Sequence, residues 1–102
     1  MKKFGVFKET EFYKKLDGLN RYHYEYITDS ILLEVFDSKD DAINYCENIK
    51  LTYETTTSGL YADSFSVFEL NDDDDIISDD IYCKTYHYDD LEKDLDIKII
   101  MY

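Results

Sequence analysis

Residues 38–50 read SKDDAINYCENIK, and they form the clearest local pattern in the chain. Ser38 is a typical helix N-cap, and Asp41, three residues later, approximates a capping box. Acids in the first turn and Lys50 near the last turn suit the helix dipole. The apolar positions of the stretch fall on one helical face, at Ala42, Ile43, Cys46 and Ile49. The pattern therefore predicts a helix over about 39–50 that packs against a sheet.

Strand patterns lie on both sides of this helix. The alternation over Arg21–Ile27 and the apolar run Ile31–Phe36 predict either a hairpin or one long strand with a bulge. NDDDD at 71–75 predicts a turn or loop, because so many adjacent acids cannot be buried. Residues 89–94 are interpreted as a loop or a single helical turn. Further strands are predicted at about 2–8, 51–57, 64–70, 81–88 and 95–102, with Ile76-Ile77 as a further strand start.

A second, short helix is predicted over about 10–17. Thr10 is a plausible N-cap, Phe12 and Leu16 are four residues apart, and Gly18 suits the position after a helix. The predicted fold class is therefore α+β. We expect a mostly antiparallel β-sheet of about five or six strands, with both helices packed on one face. The 102 residues fit a single domain, 1–102.

The charge of the chain is large and uneven. The net charge is −13, yet residues 1–51 hold ten acids and eight bases, whereas residues 52–102 hold fourteen acids and three bases. Such a surface repels nucleic acid and anionic membrane and favours basic partners. The N-terminus lacks the apolar stretch of a signal peptide, and Cys46 and Cys83 are too few for a disulfide framework. These features predict a cytoplasmic protein with reduced thiols.

A short motif, Tyr-His-Tyr followed by an acid, occurs at 22–25 and at 86–89. Its two copies contain both histidines of the chain. We interpret the two copies as similar tyrosine-faced strands rather than as a repeat. Cys83 and His87, with His23 and Cys46, could supply four metal ligands. However, the chain lacks the closely spaced ligand pairs that structural zinc sites use, so no metal is predicted.

No catalytic or cofactor site is predicted either. In NDDDDIISDDIY, Ile76 stands where a calcium loop needs glycine, and Tyr82 stands where it needs a bidentate acid. The chain has no nucleophile elbow, phosphate-binding loop or dinucleotide fingerprint. Its clustered acids have no apolar surroundings that would raise one pKa selectively. We therefore expect neither an enzyme nor a cofactor.

The acidic clusters carry the functional hypothesis. Tyr86 and Tyr88 lie beside them and are predicted to be interface anchors. Clustered carboxylates next to tyrosine rings could imitate both the charge and the stacking faces of nucleic acid. The acids predicted to bind a partner are Asp72, Asp73, Asp74, Asp75, Asp79, Asp80, Asp89, Asp90, Glu92 and Asp94.

In its size, its clusters NDDDD, SDD and YDDLEKDLD, and its Asn/Lys/Ile/Tyr-rich composition, the chain resembles the small acidic anti-defence proteins of phages and mobile elements. These include anti-CRISPR proteins and DNA mimics. The resemblance implies a non-enzymatic inhibitor of a basic, nucleic-acid-handling protein, with a CRISPR effector favoured, acting in the host cytoplasm. One alternative is an immunity or antitoxin protein that neutralises a basic nuclease toxin. Another is an acidic interaction domain without mimicry, whose charge maintains solubility.

Overall fold

A computed structural model describes residues 2–16 and 20–100, apart from the side chains of residues 26–29. Six strands and two helices follow one another along the chain. They are β1 (Lys3–Lys15), β2 (Arg21–Phe36), α1 (Lys39–Glu47), β3 (Tyr53–Thr55), β4 (Gly59–Leu70), β5 (Tyr82–Lys84), α2 (Tyr88–Leu95) and β6 (Lys98–Ile100).

The six strands form one mixed sheet in the order β3-β4-β1-β2-β6, and β5 pairs with the edge of β4 beyond β3. The central strand β1 is antiparallel to both β2 and β4. Its pairing with β4 is continuous from Lys3 opposite Leu70 to Lys14 opposite Gly59. The short β6 pairs with the start of β2 in parallel, so the sheet is not purely antiparallel.

Strand β2 is one long bulged strand, which is the second of the two alternatives that its sequence allowed. Its register against β1 shifts at three places, between Val6 and Phe7, between Thr10 and Glu11, and between Phe12 and Tyr13. Each shift places an extra β2 residue opposite β1. Such bulges bend and twist a strand, and they also make its free edge a poorer template for other chains.

Two separate hydrophobic cores form on opposite faces of the sheet. The unbroken β1–β4 register makes successive side chains alternate between the faces. We name them the α1 face and the α2 face, after the helix that covers each. The core on the α1 face contains Phe4, Val6, Ala42, Cys46, Phe65 and Val67. The core on the α2 face contains Tyr13, Tyr22, Leu60, Ala62, Leu91 and Ile99.

The two cores also lie at opposite ends of an elongated molecule of 53 × 23 × 20 Å. Helix α1 connects the end of β2 to β3 across the α1 face, and α2 connects β5 to β6 across the α2 face. Each helix therefore covers only one half of its face.

The predicted helix over 10–17 is wrong, because β1 continues through Lys15. Tyr13 pairs with Leu60 on one side and Tyr24 on the other, and its side chain is only 1% exposed. Pairing on both sides and burial of this ring outweigh the weak local helix signals, as tertiary context commonly does. Gly18, predicted to follow that helix, lies outside the described residues.

The predicted fold class needs two further corrections. The helices lie on opposite faces, and the second helix is α2 rather than 10–17. The prediction of a mostly antiparallel sheet of five or six strands roughly fits, since β2–β6 is the one parallel pair among the strands that the structure describes. The strands predicted from alternation near the C-terminus are also longer than the strands in the structure. The predicted strand 81–88 shortens to 82–84, and the predicted strand 95–102 shortens to 98–100 within the described residues.

The helix predicted over 39–50 is present but ends at Glu47. Ser38 caps it as expected, because its Oγ accepts a hydrogen bond of 3.3 Å from the Asp41 backbone N–H. The side chain of Lys84 on β5 donates to the backbone oxygens of Glu47 and Ile49. A cation at this end of the helix satisfies free carbonyls and complements the helix dipole.

Candidate partner-binding surface

The predicted partner-binding acids lie on the chain between β4 and β6, first beside the β4 edge and then on α2, which crosses the α2 face. After β4, the chain turns at 71–75 and runs back along the β4 edge, where Ile76 bridges to Leu70 and β5 pairs with residues 65–67. Helix α2 then lies at the other end, with Leu91 packed beside Leu60. Leu70, next to the first acids, and Leu60, which packs with α2, are ten strand residues apart, or about 33 Å along β4. We call the acids the acidic strip; it comprises Asp72, Asp73, Asp74, Asp75, Asp79, Asp80, Asp89, Asp90, Glu92 and Asp94.

The first part of the acidic strip is a tightly tied turn. Asn71 Oδ1 accepts hydrogen bonds of 2.9 Å from the backbone N–H groups of both Asp73 and Asp75. The Asp74 N–H donates to the Asn71 carbonyl, and Asp74 adopts a left-handed φ of 63°. Lys3 Nζ lies 2.7 Å from Asp74 Oδ1. Within the described residues, this is the one ion pair that reaches the strip. The turn thus holds four exposed carboxylates close together.

Hydrogen bonds to β4 hold the middle part of the strip at the sheet edge. Ile77 N–H donates to the Glu69 carbonyl, and Ile81 N–H donates to the Val67 carbonyl. Between them, Ser78 Oγ accepts a 2.9 Å hydrogen bond from the Glu69 N–H. These bonds hold the segment that carries the exposed Asp79 and Asp80.

The last part of the strip lies on α2. Asp89 and Asp90 are exposed in the first turn, where negative charge stabilises a helix. Asp94 is exposed as well. Glu92 differs, because its Oε2 accepts a 2.9 Å hydrogen bond from the Ile99 N–H and so fastens α2 to β6. Its carboxylate therefore has an internal structural partner.

The two predicted tyrosine anchors have different surroundings. The Tyr86 hydroxyl donates a 2.8 Å hydrogen bond to the Leu51 carbonyl, and its half-buried ring packs edge-on against Tyr53. The Tyr88 ring is 39% exposed and packs edge-on against Tyr13. Burial raises the pKa of both hydroxyls. Tyr88 is therefore the better placed of the two to contact a partner.

The sequence interpretation missed acids on the α2 face. Glu9, Glu11 and Tyr13 alternate along β1 on this face, and the Tyr13 hydroxyl donates a 2.7 Å hydrogen bond to Glu11. Burial raises the pKa of the Glu9 carboxyl, and the negative charges of Glu11 and Asp80 raise it further. The alternation in residues 9–13 was the available signal, but the helix interpretation concealed it.

The two cysteines do not come together as ligands. Cys46 is buried in the α1-face core, and burial raises the pKa of its thiol to about 11. Cys83 is an exposed free thiol, 3.7 Å from Ser64 Oγ. Across residues 2–16 and 20–100, no three His, Cys, Asp or Glu side chains are grouped so that they could hold a metal ion.

No protein-family model matches this chain, and no curated protein or solved structure matches it either. In the part of the chain that the structure describes, neither helix is long and apolar enough to cross a membrane. Function must therefore be inferred from the geometry and charge of the surface itself.

Proposed function

We propose that this protein is a non-enzymatic inhibitor that binds a basic, nucleic-acid-handling protein through the acidic strip. A CRISPR effector or another defence nuclease fits this chemistry, and the setting would be the cytoplasm of a host cell. The observation that carries the proposal is the placement of ten acids beside the β4 edge and on α2, with a single ion pair among them in the described residues. Scattered acids that only maintain solubility have no reason to cluster in this way.

The dimensions of the acidic strip support nucleic-acid mimicry. The rise of about 33 Å along β4 between the two ends of the strip compares with about 34 Å for one turn of duplex DNA. A groove lined by Arg and Lys to bind phosphates would meet carboxylates over a similar distance, and such charge-assisted hydrogen bonds are strong. The exposed ring of Tyr88 lies at the α2 end of the strip, where it could stack as a base would.

Rigidity of the strip is a second source of support. Holding many carboxylates together costs free energy through mutual repulsion. The turn at 71–75 nevertheless keeps its acids in place with hydrogen bonds from Asn71. A surface that is already arranged for its partner loses less entropy on binding. The repulsion within the turn is therefore consistent with a binding role.

A pulldown from host-cell lysate tests the proposal. The tagged protein is used as bait at about 50 mM and about 200 mM salt, with and without added double-stranded DNA. We expect a basic protein to be retained at low salt and to be released by both high salt and DNA. A partner retained equally in all conditions would contradict mimicry.

A further inference from the structure

The two uncovered halves of the sheet differ in character. Helix α1 covers the end of its face that contains Val6 and Val67, and α2 covers the opposite end of the other face, around Tyr13 and Leu60. One half of each face therefore has no helix above it. A polar half is stable in contact with water, whereas an exposed apolar half indicates contact with a partner.

The uncovered half of the α1 face carries polar groups beside one ring pair, Phe12 and Tyr61, whose centroids lie 4.8 Å apart. It forms a cleft of about 680 Å³. Lys8 Nζ lies 3.8 Å from Asp63 Oδ2, and Thr52 donates a hydrogen bond to the same carboxylate. Thr10 and Glu54 also line the cleft. Lys8, Thr52 and Asp63 therefore bind one another and can be hydrated, so the polar part of this half is stable when exposed to water.

The uncovered half of the α2 face is apolar. The rings of Phe7 and Phe68 pack edge-to-face with centroids 5.6 Å apart. Leu32 and Leu70 close over Gly5, where an added Cβ would lie 3.0 Å and 2.7 Å from their terminal carbons. We call the half-buried Phe7, Leu32 and Phe68, together with the buried Leu70, which is 2% exposed, the apolar patch.

Ile76 extends this patch at the sheet edge. Its bridge to Leu70 places its side chain on the α2 face, and 47% of the residue is exposed. Ile76 therefore adds an exposed aliphatic side chain beside Leu70, at the edge of the patch.

Negative charge borders the apolar patch on two sides. The turn at 71–75 follows directly after Leu70 and holds four aspartates. Further along the α2 face, Glu9 is paired with Ser64 and lies near Asp80 and Glu11, whose charges raise the pKa of its carboxyl. An apolar centre with a charged rim is the usual anatomy of a protein interface.

We propose that the apolar patch and Ile76 bind an apolar side chain of the partner that is flanked by Lys or Arg. This inference rests on the proposed function and adds where its binding anchor lies. The surrounding acids select positive charge around the inserted side chain. The patch itself excludes water, which strengthens those ion pairs and supplies the apolar contact that charge alone lacks.

A second copy of this chain is a poor occupant of the same surface. In a two-fold dimer, each patch would face its own copy, so the acids of the 71–75 turn and Glu9 would meet like charges. The net charge of −13 adds long-range repulsion. A basic partner removes both costs.

Two synthetic peptides of equal length and charge test the inference. One alternates Lys with Leu, and the other alternates Lys with Ser. Each is titrated into the intact protein at low salt and followed by NMR. We expect tighter binding of the Lys/Leu peptide, with shifts concentrated at Phe7, Phe68 and Ile76.

Two matched substitutions locate the contact. Ile76→Ser should weaken binding of the Lys/Leu peptide about fivefold, because it removes roughly half of a buried aliphatic contact. Ile31→Ser is the control, since Ile31 is 48% exposed and pairs with Lys8 on the α1 face. It should leave the affinity unchanged.

The outcomes separate this inference from the proposed function. Equal affinity for both peptides, equal effects of the two substitutions, or self-association through the patch would overturn the inference alone. Failure of both peptides to bind at low salt would also count against the proposed function, because the acidic strip would then not attract even simple cations.

Discussion

Leu91 is the residue on which the docking of α2 most depends. It is 0% exposed and packs among Leu60, Ala62 and Tyr13 on the α2 face. Leu91→Ala removes three buried carbon groups, worth about 2.4 kcal/mol in transfer free energy, and leaves a cavity. We expect the free energy of unfolding to fall by about 3 kcal/mol. For a chain of this size, that corresponds to a fall in Tm of roughly 15 °C.

Leu95→Ala is the matched control, because Leu95 lies one turn later on the same helix and is only partly buried. Both substitutions change helix propensity equally, so the difference between them reports burial. Urea denaturation, with unfolding followed by circular dichroism, gives both values. A loss at Leu91 below about 1 kcal/mol, or a loss equal to that at Leu95, would refute the described packing of α2 against the sheet.

Three further predictions concern Glu9, Tyr86 and the two cysteines. Because the folded state raises the pKa of Glu9 above its usual 4.5, its ionisation destabilises the fold as pH rises through that range. Glu9→Gln should therefore raise Tm near neutral pH and have no effect at about pH 3; a lower Tm near neutral pH would contradict this. Tyr86→Phe should lower the free energy of unfolding by about 1 kcal/mol in urea, through loss of its hydrogen bond to the Leu51 carbonyl, and no change would contradict that bond. A thiol reagent at about pH 8 should modify Cys83 rapidly and Cys46 only after unfolding, and equal rates would be inconsistent with a buried Cys46.

Local sequence signals were sufficient where local interactions determine the boundary of an element, as at the start of α1. The start of α1 depends on Ser38 and on residues within one turn of it, so the capping pattern was sufficient. The end of β1 depends instead on its two neighbouring strands. Tyr13 lies between residues that are 11 and 47 positions away along the chain, and no local pattern contains those pairings. Its strand state could not be inferred from caps and spacing.

The candidate site divides in the same way. Its acids and Tyr88 were visible in the sequence because charge clusters are local features. Their placement relative to one another was not, since it depends on the bridge from Ile76 to Leu70 and on the crossing of α2 to the far edge. The apolar patch combines Phe7, Leu32 and Phe68, which only the sheet brings together. Half-buried phenylalanines in separate strands gave no signal of a shared surface.

The internal roles of Glu92 and Tyr86 were equally hidden. Both lie in the acidic, tyrosine-rich segment that seemed most suited to a partner. The structure shows each bound to backbone groups, Glu92 to Ile99 and Tyr86 to Leu51. Composition identified the acidic segments but could not separate side chains that hold the fold from those that face outward.

Removing the same number of negative charges from two different places tests the central claim most directly. One variant replaces Asp72–Asp75 with Asn. The control replaces four exposed acids beside α1, and these are Asp37, Asp40, Asp41 and Glu47. Both changes reduce the net negative charge by four. In the low-salt pulldown, we predict that the control retains the basic partner and that the Asp72–Asp75 variant loses it. Equal retention by both variants would show that the acidity acts only as general charge and would contradict the account.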